Sequence, residues 1–355
     1  MTTDPVDWEL ARRVAIRVQG REPYASARYR DGLEEDFDRY TAQAEDLVAD
    51  CTGLRSLSGS ARGRVTDREG WVDANLAAFQ RLLRPITDKL AEKMSGPTAS
   101  VARSLAGAEL GAMLGWMSTR VLGQYDLLVI EDEDPDDQDI VYYVAPNVLS
   151  LEQRFAFPPE EFRLWLALHE VTHRAQFTGI PWMRHHFLGL VKSTMESVDP
   201  DPKRFMASLQ RFMEARRRGE DPMAEGGLMA LFATESQREI INQVSGLMSL
   251  LEGHGDVTMD RAGEGLVPSA ERFGRVLRQR RQSARGPAKL FQRFAGLDAK
   301  IKQYAQGERF IEIVEAAGGN QLLDRAWEGP ENLPSIDEIR RPELWISRLA
   351  PELAA

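Results

Sequence analysis

Apolar residues return every three or four positions along most of this chain, the period of helices that bury one face. Pro5 opens one such segment running to about Val18, and Leu33–Asp50 carries a second. Asp67–Glu69 precedes a third, with apolar positions at Leu76, Phe79, Leu82 and Leu83. In the next, Ala99–Leu122, Gly107, Gly111 and Gly115 recur every four residues. In a membrane that stripe would suggest a dimer face. Arg103, Glu109 and Arg120 within it favour a water-exposed helix whose small residues admit a neighbouring backbone. The pattern turns strand-like only briefly. Leu127–Ile130 and Ile140–Val144 are β-branched or aromatic runs, joined by the almost wholly acidic Glu131–Asp139, and read as a hairpin with a solvated tip. Pro158–Pro159–Glu160–Glu161 then opens a helix through Phe177, which Gly179–Ile180–Pro181 ends. Further helices are predicted at Pro181–Glu196, Pro202–Arg217, Thr234–Asp256, Pro268–Gln282, Pro287–Tyr304 and Gly307–Ala317. Glu214–Gly227 reads as an exposed loop, and the proline-rich tail from Gly329 as a surface wrap. The expected fold is mainly α with a small β-hairpin or sheet.

Composition adds limits. With 355 residues, 43% of them hydrophobic, the chain can bury one large core or two smaller ones. A formal charge of −10 argues against generic nucleic-acid binding. The single cysteine, Cys51, forms no intrachain disulfide, so nothing requires an oxidising compartment. Met1–Pro5 lacks the basic and apolar regions of a signal peptide, and the charges in Val101–Leu122 disfavour a membrane span. A cytoplasmic protein without membrane partners is the expectation.

The chemistry concentrates in His169–Glu170–Val171–Thr172–His173. Four residues is about one helical turn, so His169 and His173 stand one above the other on one face. Glu170 lies at the edge of that face. Two imidazoles for a metal and a carboxylate beside its water are what a catalytic zinc ion, Zn2+, requires. Leu164, Leu168, Val171 and Ala175 form a separate apolar stripe, available to the core.

Such a site needs a third protein ligand. The residues after His173, RAQFTGIPW, hold no further histidine. The favoured candidate is Glu252 in Glu252–Gly253–His254–Gly255–Asp256, with His254 as the alternative. Ile240, Val244, Leu247 and Leu251 make a core stripe there, and Asp256 lies one turn beyond Glu252. Asp256 is expected to accept a ligand histidine's N–H and fix its tautomer. Gly253 and Gly255 either mark the end of the helix, with Gly253 as its cap, or let the helix close on the metal; both leave Glu252 available.

HEVTHRAQF, EGHGD, GAELGAMLGWMSTRVLGQYD and GLDAKIKQYAQGERF together resemble the actinobacterial zincin-like metallopeptidase family. Some members are labelled as hydrolases or as proteins associated with deazaflavin cofactor biosynthesis. The resemblance covers nearly the whole chain. It implies a mainly helical zincin-like metallopeptidase fold, His169 and His173 as ligands, and Glu170 as catalytic acid/base. On this reading residues 1–355 form a single zincin-like unit: a helical part at 1–125, a zinc-site core at 126–260 and a helical part at 261–355.

The expected function is zinc-dependent hydrolysis of a peptide or protein substrate at a gluzincin-like site. Tyr142, Tyr143, His254, Arg174, His185 and His186 are all candidates for stabilising the oxyanion. Were Ile140–Val144 an edge strand, it could hold an extended substrate by strand addition. Two rivals remain. One is a zincin-fold scaffold without catalysis, which an intact Glu170 disfavours. The other is nucleic-acid binding along the basic stretch from Arg272 to Lys302, which the overall acidity and the apolar spacing at Leu290, Phe291, Phe294 and Leu297 disfavour.

Overall fold

The computed structural model describes residues 4–24, 27–93, 99–127, 139–196, 235–282 and 297–353. The predicted helix Pro202–Arg217, the loop Glu214–Gly227 and the acidic run 131–138 lie outside them. The chain separates into two compact units, Met1–Pro181 with Thr258–Phe273, and Trp182–Val257 with Gly274–Ala355.

In the first unit, α1 (Trp8–Gln19) starts at Asp7, whose carboxylate accepts the Leu10 N–H and satisfies one of the unpaired amides of the first turn. It packs on α4 (Ala99–Ser118) through the predicted glycine stripe. A Cβ added at Gly107, Gly111 or Gly115 would strike the backbone carbonyl oxygen of Asp7, Ala11 or Ala15, so the stripe serves an intramolecular helix contact. Ala11, Ala15 and Leu114 close this layer with Trp71, Val72 and Leu76 of α3 (Arg68–Lys93).

The sheet has three strands in the order β1 (Arg62–Thr66), β3 (Ile140–Val144), β2 (Gly123–Tyr125). β1 runs parallel and β2 antiparallel to β3. Three expectations change here. The partner of β3 is Gly123–Tyr125 rather than Leu127–Ile130, of which 128–130 fall outside the described residues. β1 was not expected, because Arg62, Gly63 and Arg64 carry no strand-like apolar alternation. β3 is the central strand and cannot accept an added one, since both its edges are already paired. One sheet face meets α2 (Ala27–Thr52), where Phe37 stacks on Tyr143 at 3.8 Å. On the other face, Trp71 of α3 donates its indole N–H to Gln124 at 2.8 Å.

After β3 come α5 (Ala145–Phe155) and α6 (Pro159–Gly179). Both have proline in the first helical turn, where a missing N–H costs nothing. The aromatic rings of Phe157, Phe162, Trp165 and Phe273 pack together beside them at centroid distances of 4.7–6.1 Å.

The second unit begins with α7 (Met183–Glu196) and includes most of α8 (Glu235–Ala262) and α9 (Ala270–Gln282). α8 continues through Gly253 and Gly255. A Cβ at Gly253 would meet the Gly307 backbone of α10 (Leu297–Asp324), so close helix contact explains this glycine. α10 runs through the break expected between Tyr304 and Gly307 and past Ala317, with non-helical dihedrals at Gly319, where φ is 68°; residues 287–296 of the first expected helix lie outside the described residues. The tail from Gly329 is also a correction. Pro330 opens a short turn, a Ser335–Glu338 capping box opens α11 (Ile336–Arg340) and Pro342 opens α12 (Pro342–Leu349); their Ile336, Ile339, Trp345 and Ile346 join Leu250, Phe310, Ile311 and Val314 in the core. Patterning over such short helices is too brief to register as periodic. No helix among the described residues is long and apolar enough to cross a membrane.

Candidate metal centre

From Phe162 to Ile180, α6 and the residue that follows it are buried at every position except Arg163, His169, His173 and Gly179, which are half-buried. The predicted stripe Leu164, Leu168, Val171 and Ala175 is in the core. Thr172, Arg174, Gln176 and Thr178 among them are buried as well, and each has an identifiable partner. Thr172 and Thr178 donate back to the carbonyls of Leu168 and Arg174, both at 2.7 Å. Arg174, 1% exposed, donates to Glu45 at 2.7 Å, to Asp139 at 2.6 Å and to the Gly59 carbonyl at 2.7 Å. That network ties α6 to α2, to the loop before β1 and to the residue before β3. Such burial is tolerable only with every charge paired.

The two histidines behave differently from their neighbours. Their rings are nearly perpendicular, at 83°, and His169 Nε2 lies 3.2 Å from His173 Nε2. Two nitrogens each about 2.0–2.1 Å from one tetrahedral ion stand about 3.3 Å apart. The separation therefore fits two ligands of a single metal. His173 Nδ1 faces Gln176 Oε1 at 3.0 Å, and Gln176 is completely buried.

Glu170 is 6% exposed and lies against β2. A Cβ at Gly123 would come within 2.7 Å of Glu170 Cγ and Oε1, so the absent side chain makes room for this carboxylate. Two turns further along α6, Phe177 stacks over Tyr125 at 6.3 Å, so helix and strand run side by side. Main-chain bonds from Val144 N–H to Leu122 and from Asp126 N–H to Ile140 put Leu122, Gln124 and Asp126 in register with β3. The alternation of an antiparallel ladder then turns the N–H and C=O of Gly123 and Tyr125 to the opposite edge. Among the described residues no strand pairs with that edge.

Glu252, on α8 of the second unit, is 4% exposed, and Asp256 one turn later is half-buried. His254 is buried with its ring edge-on to Trp327 at 5.2 Å. The expected oxyanion candidates divide. Tyr143 is fully buried with its hydroxyl 2.8 Å from Thr41 Oγ1, and burial, with the Glu170 charge adding to it, pushes its pKa far up, so it stays protonated. Arg174 is committed to the network above. Tyr142 lies on the other sheet face, 5.9 Å from the Arg64 guanidinium. His185 is exposed, and His186 is edge-on to Trp182 at 5.8 Å, its pKa lowered by burial and by His185.

In the basic stretch, Arg272 is a structural residue that donates to the Phe155 and Ala156 carbonyls at the end of α5. Residues 283–296 lie outside the described part. Two site features escaped the sequence reading: Gln176, three residues past His173, and Gly123, whose role depends on where β2 passes.

No curated protein matches the sequence. A protein from Chloroflexus aurantiacus, provisionally described from its crystal structure as a hydrolase with a novel fold, is similar at 34% identity and a TM-score of 0.70. The similarity covers 97% of this chain and 98% of that one. Residues 6–346 match the zincin-like metallopeptidase family, and the chain belongs to that family.

Proposed function

We infer that the protein is a zinc-dependent peptidase whose metal ligands are His169, His173 and Glu252. Each of the three offers one ligand atom, a donor set that could hold a metal ion. The observation that carries the reading is the 3.2 Å approach of the two imidazole Nε2 atoms on an otherwise buried helix. Two histidines and a carboxylate leave a fourth position open, as catalytic rather than structural zinc sites do. When bound, zinc supplies Lewis acidity that makes a water nucleophilic near neutral pH and polarises a carbonyl.

The remaining work falls to the chain. Glu170 takes the attacking water's proton and hands it to the leaving amine. Its burial beside Gly123 limits the orientations of the carboxylate. Asp256, one turn past Glu252, is assigned to accept the N–H of a ligand histidine. An extended peptide is assigned to the edge of β2, where the main chain of Gly123 runs beside Glu170. β2 thus takes the substrate-holding role first considered for β3.

The test is metal analysis of the purified protein followed by digestion of a peptide library. Close to one zinc per chain is expected, and His169→Ala or His173→Ala should remove most of it. Glu170→Gln should keep both zinc and fold and lose hydrolysis, mainly in kcat, because the amide cannot accept a proton. Loss of zinc in Glu170→Gln would make it a ligand and overturn the mechanism. Failure of the zinc-loaded wild type to cut any peptide would favour a scaffold instead.

A further inference from the structure

We propose that Gln176 is the positioning residue that fixes the tautomer and ring orientation of His173, so that Nε2 is the atom presented to a metal. This rests on the zinc-site reading above and adds a residue to it. A neutral imidazole carries one proton, and the nitrogen without it is the one that can bind a metal. Which nitrogen that is depends on what the other one meets. His173 Nδ1 meets Gln176 Oε1 at 3.0 Å, an acceptor that holds the proton on Nδ1 and leaves the Nε2 lone pair facing His169 Nε2.

Three features make the contact a fixed one. Gln176 is completely buried, so water offers its amide no competing partner. It sits three residues after His173 on the same helix, where side chains i and i+3 are neighbours. The residues on either side of it, Ala175 and Phe177, are packed in the core, with Phe177 held against Tyr125, so the helix cannot rotate to release it. The acceptor is also an amide rather than a carboxylate. A carboxylate would add negative charge and raise the basicity of the ligand histidine; the amide orients the ring without that effect.

The first measurement uses metal-free wild-type protein with nitrogen-15-labelled histidine. The expected spectrum has His173 protonated at Nδ1 and unprotonated at Nε2. A proton on Nε2 would mean that the Gln176 amide is turned to donate to Nδ1, and would overturn the proposal without reference to any metal.

The second measurement is zinc affinity by competition with a chromophoric chelator. Gln176→Leu should weaken binding about 10–100-fold. Gln176→Glu, which keeps an acceptor at the same reach, should bind at least as tightly as wild type. Equal affinity of wild type and Gln176→Leu would overturn the proposal while leaving the zinc site intact. Failure of the wild type itself to bind zinc would instead overturn the metal reading, and the tautomer measurement would then decide the role of Gln176 alone. Should Gln176→Leu fail to fold, wild-type tautomer and Gln176→Glu affinity still decide: a proton on Nε2, or weaker binding by Gln176→Glu, overturns the proposal.

Discussion

Gly123 does by omission what a side chain would undo. An added methyl group would lie 2.7 Å from Glu170 Cγ and Oε1, against the roughly 3.3–3.5 Å that carbon needs from such atoms. The Glu170 carboxylate would have to swing away by several tenths of an ångström. Misplacing a reacting group by about 1 Å can cost 100-fold. Gly123→Ala is therefore expected to lower kcat by about 10–100-fold while keeping zinc content and a near-normal KM. Steady-state kinetics on any cleaved peptide would check this, and wild-type kcat in the variant would show that the carboxylate does not need the space. The contrast with the histidines shows what a sequence discloses at this scale. His169 and His173 were legible because a four-residue spacing on a helix is geometry, independent of the rest of the chain. Gly123 and Gln176 were not. One matters only because of where a strand passes, and the other only because of a rotamer.

At the scale of elements, the α1–α4 contact gives a prediction whose sign packing decides. Alanine is favoured over glycine within a helix by about 1 kcal/mol. At Gly111 of α4, however, the new methyl would collide with the main-chain oxygen of Ala11. Overpacking of this kind costs about 1–3 kcal/mol, so Gly111→Ala should destabilise despite its better helix propensity. Gly189→Ala in α7 is the matched control, because nothing lies within 4 Å of its Cβ position, and it should stabilise by up to about 1 kcal/mol. Urea unfolding of both variants would test the pair; a stabilised Gly111→Ala would mean that α1 yields readily. The stripe itself was readable, since three small residues at helical spacing need a reason. The polar positions of α6 were harder to read. Thr172 with Gln176, and Arg174 with Thr178 on the opposite side, would ordinarily mark solvated positions, and only their partners explain their burial. The strands were misjudged for a related cause. Gly123–Gln124–Tyr125 is held by tertiary contacts to Trp71, Phe177 and Glu170 rather than by β propensity, while the more strand-like Leu127 falls just past its end.

At the scale of the whole molecule, family membership spans residues 6–346, so the proposed ligands His169, His173 and Glu252 belong to one matched segment though far apart in sequence. That separation was why the third ligand rested on the local pattern around Glu252 rather than on a spacing rule. It also makes zinc a reporter of folding. A ligand that binds only the native state stabilises it by about 2.7 kcal/mol when present at 100 times its Kd. With an unfolding entropy of about 2.1 cal/mol/K per residue, a chain of 355 residues should then melt about 3–4 °C higher. The expected result is that Tm rises by this amount when the metal-free protein is given zinc at that concentration, and that His169→Ala removes the rise. Glu252→Ala discriminates further. If Glu252 is the third ligand, its loss weakens binding, and the same free zinc concentration no longer raises Tm. If the two histidines hold the ion with another partner, Glu252→Ala keeps the full increment. Calorimetry on wild type and both variants, with and without zinc, separates these outcomes. An undiminished rise in Glu252→Ala would remove that residue from the site while leaving the histidine pair in place.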